Sequence, residues 1–107
     1  MCSIMGLSTR AVERQELLGY FERSVSRGPD SSRLMETGRG WLGFHRLSIM
    51  GLDERGMQPF CLRGKAAVCN GEIYGFRALR SDLKRAGYAF AGESDFELIL
   101  TLYQRHW

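Results

Sequence analysis

A mixed α+β or layered α/β domain is what this sequence predicts, on three observations. Apolar runs that read as strands lie at Cys2–Leu7, Trp41–Met50 and Ala66–Asn70. Stretches beginning near Ala11, Phe76 and Phe96 carry apolar residues at helical spacing instead. Segments bearing glycine, proline and asparagine separate the two kinds, which is where a chain reverses direction.

Bulk properties set the frame. At 107 residues the chain is at most one domain, and a hydrophobic content of 44% suffices for a core. The 15 basic residues are interleaved with 12 acids, with no run of five or six like charges, so nucleic-acid binding is not called for. No apolar stretch reaches the ~20 residues of a membrane span. Three cysteines, without CxxC spacing or a signal peptide, fit free thiols in a reducing cytoplasm.

Taken in order, Cys2–Leu7 reads as a buried first strand that gives way at Gly6 and the polar Ser8-Thr9-Arg10. From Ala11 to Val25, the residues Val12, Leu17, Leu18, Phe21 and Val25 fall largely on one helical face. Arg27-Gly28-Pro29-Asp30 stops that helix, because glycine weakens it and proline bars its continuation. Trp41–Met50 is the strongest strand of the first half, and Gly51–Pro59 reads as loop. Ala66–Asn70 is a second short strand, closed by an Asn70-Gly71 pair suited to positive φ. Phe76, Leu79, Leu83 and Ala86 then recur at spacings of 3, 4 and 3, a helix that stops at Gly87. Tyr88–Phe90 reads as a strand fragment. Ser94 and Glu97 fit a capping box, opening a helix with Phe96, Ile99, Leu100, Tyr103 and Trp107 on one side. That helix runs to the last residue without a C-cap, as expected of a chain cut short.

Chemistry concentrates at Cys2. If Met1 is removed, one residue carries a thiol and a free α-amine. The thiolate is the nucleophilic form of a group that ordinarily titrates near pH ~8.5. An α-amine near pKa ~8 can act as its base at neutral pH. Four polar clusters also interrupt the apolar pattern: Arg27–Asp30, His45-Arg46, Asn70-Gly71-Glu72 and Ser94-Asp95. Each has a bland reading as a turn, a strand's solvent face, a hairpin turn or a helix cap. Cys2 itself could be a small buried residue that opens a strand.

Together they form a pattern. Met1-Cys2-Ser3-Ile4, Arg27-Gly28-Pro29-Asp30, Gly43–Ile49, Gly56-Met57-Gln58-Pro59, Asn70-Gly71-Glu72-Ile73-Tyr74, and Ser94-Asp95 followed by Glu97 occur in one order across the whole chain. In this the chain resembles the N-terminal glutaminase domain of asparagine synthetase, a class II glutamine amidotransferase. The resemblance implies about the first half of an Ntn-hydrolase αββα four-layer sandwich. It also implies that glutamine is the substrate and that Cys2 attacks its amide through a thioester. Asn70 and Gly71 would donate to the oxyanion, and Arg46 would pair with the α-carboxylate. Glu72 and Asp95 would face the α-ammonium, and Leu47, Ser48 and Ile49 would line the pocket. For Ser48, plain strand packing is an equal alternative. Arg27 and Asp30 would be structural support, Cys61 and Cys69 packing cysteines, and His45 not the base. Where the family usually has Asn, this chain has Gly75, and a looser turn into the next helix is expected.

By the same resemblance the segment itself needs no cofactor and no metal. ATP and Mg belong to an absent C-terminal synthetase domain, its expected partner, and the full-length protein could be a homodimer. Two other readings stay open. The chain could be a glutamine-binding or interaction module without turnover, or a non-functional remnant. It could also be the glutaminase part of a related amidotransferase with another acceptor.

Overall fold

The computed structural model of the chain describes residues 2–47, 56–90 and 95–106. Among the described residues, five strands and three helices make a mixed α/β arrangement of two antiparallel sheets. Strand β1 (Ser3–Leu7) is followed by helix α1 (Arg14–Phe21), a 3₁₀ turn over Glu22–Arg27, strands β2 (Ser31–Thr37) and β3 (Gly40–Arg46), and a hairpin of β4 (Phe60–Leu62) and β5 (Lys65–Ala67). Helices α2 (Phe76–Arg85) and α3 (Glu97–His106) close the order. The four-layer sandwich expected from the resemblance goes beyond what these elements establish.

In the larger sheet β3 lies between β1 and β2. Register puts Met5 and Leu34 opposite Gly43, and Ser3 and Ser32 opposite His45. The period of two therefore gives Trp41, Gly43 and His45 one face. That face takes helix α1: Leu17, Phe21, Leu34 and Trp41 form a buried cluster, with Met5, Leu7, Val12 and Leu18 against it. The Phe21 ring stacks on the His45 imidazole at 3.8 Å. Strand β1 is thus half-buried, not buried throughout: Ile4, on the other face, is 48% exposed. Val25, expected on the helix's apolar face, is also exposed, because the chain has by then tightened from α-helix into a 3₁₀ turn.

Strand β2 was not expected, since polar Ser31, Ser32, Arg33 and Glu36 dilute its pattern. The second-half strand also lies earlier than Ala66–Asn70: β5 ends at Ala67 and pairs with β4. The hairpin turn is Arg63-Gly64, both at positive φ, the combination that matches strand twist in a two-residue loop. Asn70-Gly71 is consequently not a hairpin turn.

Helix α2 ends as predicted. Tyr88 N–H donates to Leu83 O and Gly87 N–H to Lys84 O, both at 3.0 Å, which is a Schellman closure. Tyr88–Phe90 is not a strand. On α3 the buried residues are Leu98, Leu100 and Thr101, and Tyr103 is exposed, so the inward face is rotated from the predicted one. Its first turn is entered through Leu98 N–H to Asp95 O and Ile99 N–H to Phe96 O. Ser94, half of the predicted capping box, lies outside the described residues, as does Trp107.

Candidate active site

The larger sheet carries Cys2. Continuing the antiparallel register one residue beyond Ser3–His45 sets Cys2 beside Arg46, on the sheet face opposite α1. Leu47 N–H donates to Cys2 Sγ at 3.3 Å, and the thiol lies 3.8 Å from Leu47 O. Two strand ends thus hold the sulfur between them.

A third segment arrives from far along the chain. Asn70 Nδ2 donates to Cys2 O at 2.9 Å across 68 residues. A side-chain amide has two N–H bonds. One is engaged by Cys2, which orients the amide plane and leaves the second for another acceptor. Asn70 and Gly71 are both exposed.

Beyond them the chain turns around a cavity of about 530 Å³ lined by Gly71, Glu72, Ile73, Tyr74, Arg77 and Asp95, within the range of small-molecule sites. Asp95 reaches it from the segment before α3, and its Oδ2 accepts from Ile73 N–H at 2.8 Å. Glu72 and Asp95 therefore share one cavity. Burial first, and the Asp95 carboxylate second, push the Cys69 thiol above its ordinary pKa. Gly75 sits at φ 73°, ψ 17° as the cap before α2. That left-handed conformation is one glycine adopts freely and asparagine tolerates. The exchange of Asn for Gly is accommodated there, and α2 starts at the very next residue.

Arg46 is not among the residues that line this cavity and lies at the end of β3. Asp30 N–H donates to its backbone O at 3.0 Å, and a Cβ on Gly56 would lie 3.1 Å from its Nη2. Gly28 approaches still more closely, since a Cβ there would be 2.3 Å from His45 O. The Arg27–Asp30 turn is thus packed on the end of β3, a supporting position. His45 is 1% exposed, with Nε2–H to Phe21 O at 2.8 Å and Nδ1 paired with Ser32 Oγ at 2.5 Å. Both ring nitrogens are used in holding the end of α1 and β2 to β3.

Ser48 and Ile49 lie outside the described residues. Cys61 is not a packing cysteine: its thiol is exposed, 3.7 Å from Met35 Sδ, because the hairpin places it on an outward position. Residue-by-residue reading also missed two participants. Arg77 carries no motif signal at all. Gln58 lay inside a quoted motif without a role, although a lone amide between Met57 and Pro59 invites the question of what satisfies it.

Known proteins place the chain in a class first. Residues 1–107 match the glutamine amidotransferase domain family, and the chain belongs to it. More particularly, it is 40% identical over 110 residues to asparagine synthetase B [glutamine-hydrolyzing] of Escherichia coli (strain K12), covering 97% of this chain and 20% of that protein. Asparagine synthetase [glutamine-hydrolyzing] 1 of Bacillus subtilis (strain 168) is 34% identical over 115 residues, covering the whole chain and 18% of that protein. A probable asparagine synthetase [glutamine-hydrolyzing] of Dictyostelium discoideum is 36% identical over 111 residues, covering 97% and 20%. The chain thus spans about a fifth of the length of these relatives. No solved structure matches it.

Proposed function

We propose that this chain is the glutaminase segment of an asparagine synthetase, hydrolysing glutamine to supply ammonia for asparagine formation. The observation that carries it is the convergence on residue 2 of Leu47 and Asn70, brought from 45 and 68 residues away. After removal of Met1, the α-amine of Cys2 takes the thiol proton, and sulfur adds to the side-chain amide carbon of glutamine. The oxyanion so formed receives the second N–H of Asn70 and the backbone N–H of Gly71. Donors set in advance stabilise such charge without reorganising. Collapse breaks the C–N bond, ammonia leaves with the proton held by the amine, and a thioester remains. Water then releases glutamate and restores the thiol.

Binding follows charge. Glu72 and Asp95 meet the α-ammonium in the cavity they line. Arg46, the cross-strand neighbour of Cys2, pairs with the α-carboxylate, and Leu47, Ser48 and Ile49 complete the wall. The finer fold is the Ntn-type αββα sandwich, of which this segment supplies part. ATP and Mg act in the synthetase domain that the relatives' length implies, and no residue of this segment is assigned to them. The setting proposed is cytoplasmic; no helix among the described residues is long and apolar enough to cross a membrane.

Intact mass after incubation with 6-diazo-5-oxo-norleucine, a glutamine analogue that alkylates nucleophilic thiols, tests this directly. The expected result is loss of the Met1 mass and one adduct on Cys2, suppressed by excess glutamine. A processed chain that takes no adduct, or takes it on Cys61 regardless of glutamine, would reject turnover and leave a non-catalytic module. In a protein of the relatives' length, a different ammonia acceptor would be decided outside this segment.

A further inference from the structure

We propose that Gln58 is a positioning residue for the oxyanion donors, acting through the backbone of Cys69. It deepens the glutaminase reading and rests on Asn70 and Gly71 being those donors. Gln58 is 3% exposed. A buried amide is costly unless both of its ends are hydrogen-bonded, and both are spent on one residue. Gln58 Nε2 donates to Cys69 O at 3.1 Å, and Cys69 N–H donates to Gln58 Oε1 at 2.6 Å.

This pair of bonds copies what a neighbouring strand exchanges with its partner. It is made beyond β5, whose pairing with β4 ends at Ala67. The clamp fixes the two peptide planes that flank Cys69, one through its N–H and the other through its C=O. The second plane carries the backbone nitrogen of Asn70. Only the two torsions of Asn70 then separate the clamp from the peptide that bears the Gly71 N–H. The Asn70 side chain is tied down in turn by Cys2 O. A loop that must present two donors to a developing charge is thereby set from one buried side chain. Only an amide serves unaltered. A carboxylate at this position would turn an acceptor toward Cys69 O and bury a charge, and an apolar side chain would leave both Cys69 groups unpaired.

The test compares wild-type chain with Gln58→Met and Gln58→Glu by two readouts. In amide NMR, Cys69 N–H should be protected from exchange in the wild type and lose protection in Gln58→Met. The Gly71 N–H and Asn70 side-chain signals should shift and broaden with it. In Gln58→Glu those signals should return toward wild-type positions as pH falls, because a protonated carboxyl regains a donor for Cys69 O while still accepting from its N–H. The wild type run in parallel subtracts pH effects that do not arise at position 58.

With glutamine as substrate, kcat should fall at least tenfold, on the order of a weakened oxyanion donor, with KM within about threefold. A fold defect would instead lower the active fraction and move cooperative unfolding. Unchanged Gly71 and Asn70 signals in a folded Gln58→Met chain would overturn the proposal. So would loss in KM alone. Should Gln58→Met not fold, the pH recovery of Gln58→Glu decides by itself. Absence of turnover in the wild type would reject the glutaminase reading, while the NMR readout would still decide whether Gln58 positions the loop.

Discussion

At the scale of the residue, the site depends on single hydrogen bonds whose loss is measurable. Asn70→Ala removes the bond to Cys2 O and one proposed oxyanion donor. Glutamine turnover should fall by ~10²–10³ in kcat with a far smaller change in KM. Equal loss of binding would assign Asn70 to the ground state instead. Cys69 offers a second, independent check. Its raised pKa, caused by burial and then by Asp95, means the folded chain retains a proton that the unfolded chain has released. The stabilisation is whole below the unfolded thiol's pKa and is lost as pH rises through the higher folded value. Stability should therefore decline above pH ~8.5, and Cys69→Ser should make that decline shallower in urea titrations at each pH. The exposed Cys61 should be alkylated by iodoacetamide well before Cys69. The reverse order would contradict the burial of Cys69.

At the scale of the element, α2 and α3 are joined by a charge pair as well as by apolar packing. Arg80 Nη2 lies 3.8 Å from Glu97 Oε2, with side chains only 7% and 10% exposed. The guanidinium also stands 5.9 Å from the Phe76 ring and 5.4 Å from that of Phe90. Glu97 is two residues beyond Asp95, so the same clasp holds the carboxylate that faces the cavity. Arg80→Ala should cost roughly 3–5 kcal/mol, because it leaves Glu97 buried without this counter-charge. Arg80→Met combined with Glu97→Leu should recover most of it. A cost under ~1 kcal/mol would make the pair no better than an exposed one. At the other end of the site, Gly28→Ala would drive a Cβ into His45 O. Overpacking of this kind costs about 1–3 kcal/mol, and here it should also slow labelling of Cys2, whose sulfur is held by the neighbouring Leu47.

Whole-molecule behaviour follows from what the elements leave open. Strands β1 and β2 are the edges of the larger sheet, each paired only with β3 among the described residues. The sheet face bearing Met35 and Leu42 borders an open groove of about 1310 Å³, closed on its far side by the β4–β5 hairpin and by α3 at Ile99, Leu100 and Tyr103. Edge strands and apolar surface that border an open groove favour association. Sedimentation of the 107-residue chain should show concentration-dependent self-association; a monomer that unfolds cooperatively would mark a self-sufficient module. In a protein of the relatives' length, Cys2→Ala should abolish glutamine-dependent synthesis and spare synthesis from ammonia. Loss of both in a folded variant would count against the proposed division of labour.

Much of this was legible along the chain. Helix α2 and its stop at Gly87 were readable because a helix repeats every 3.6 residues, and its caps are local chemistry. The family was readable because its motifs are contiguous runs. Strand β2 was not, since an edge strand with polar Ser32, Arg33 and Glu36 is held by pairing with β3, not by its own pattern. Nor was the turn at Arg63-Gly64, where an arginine takes a positive φ that its residue type does not favour. Most of all, no local pattern says that Leu47 and Asn70 meet Cys2, or that Gln58 grips Cys69. Those contacts join residues 11 to 68 positions apart. Their geometry is set by sheet register and burial, which exist only once the chain has folded.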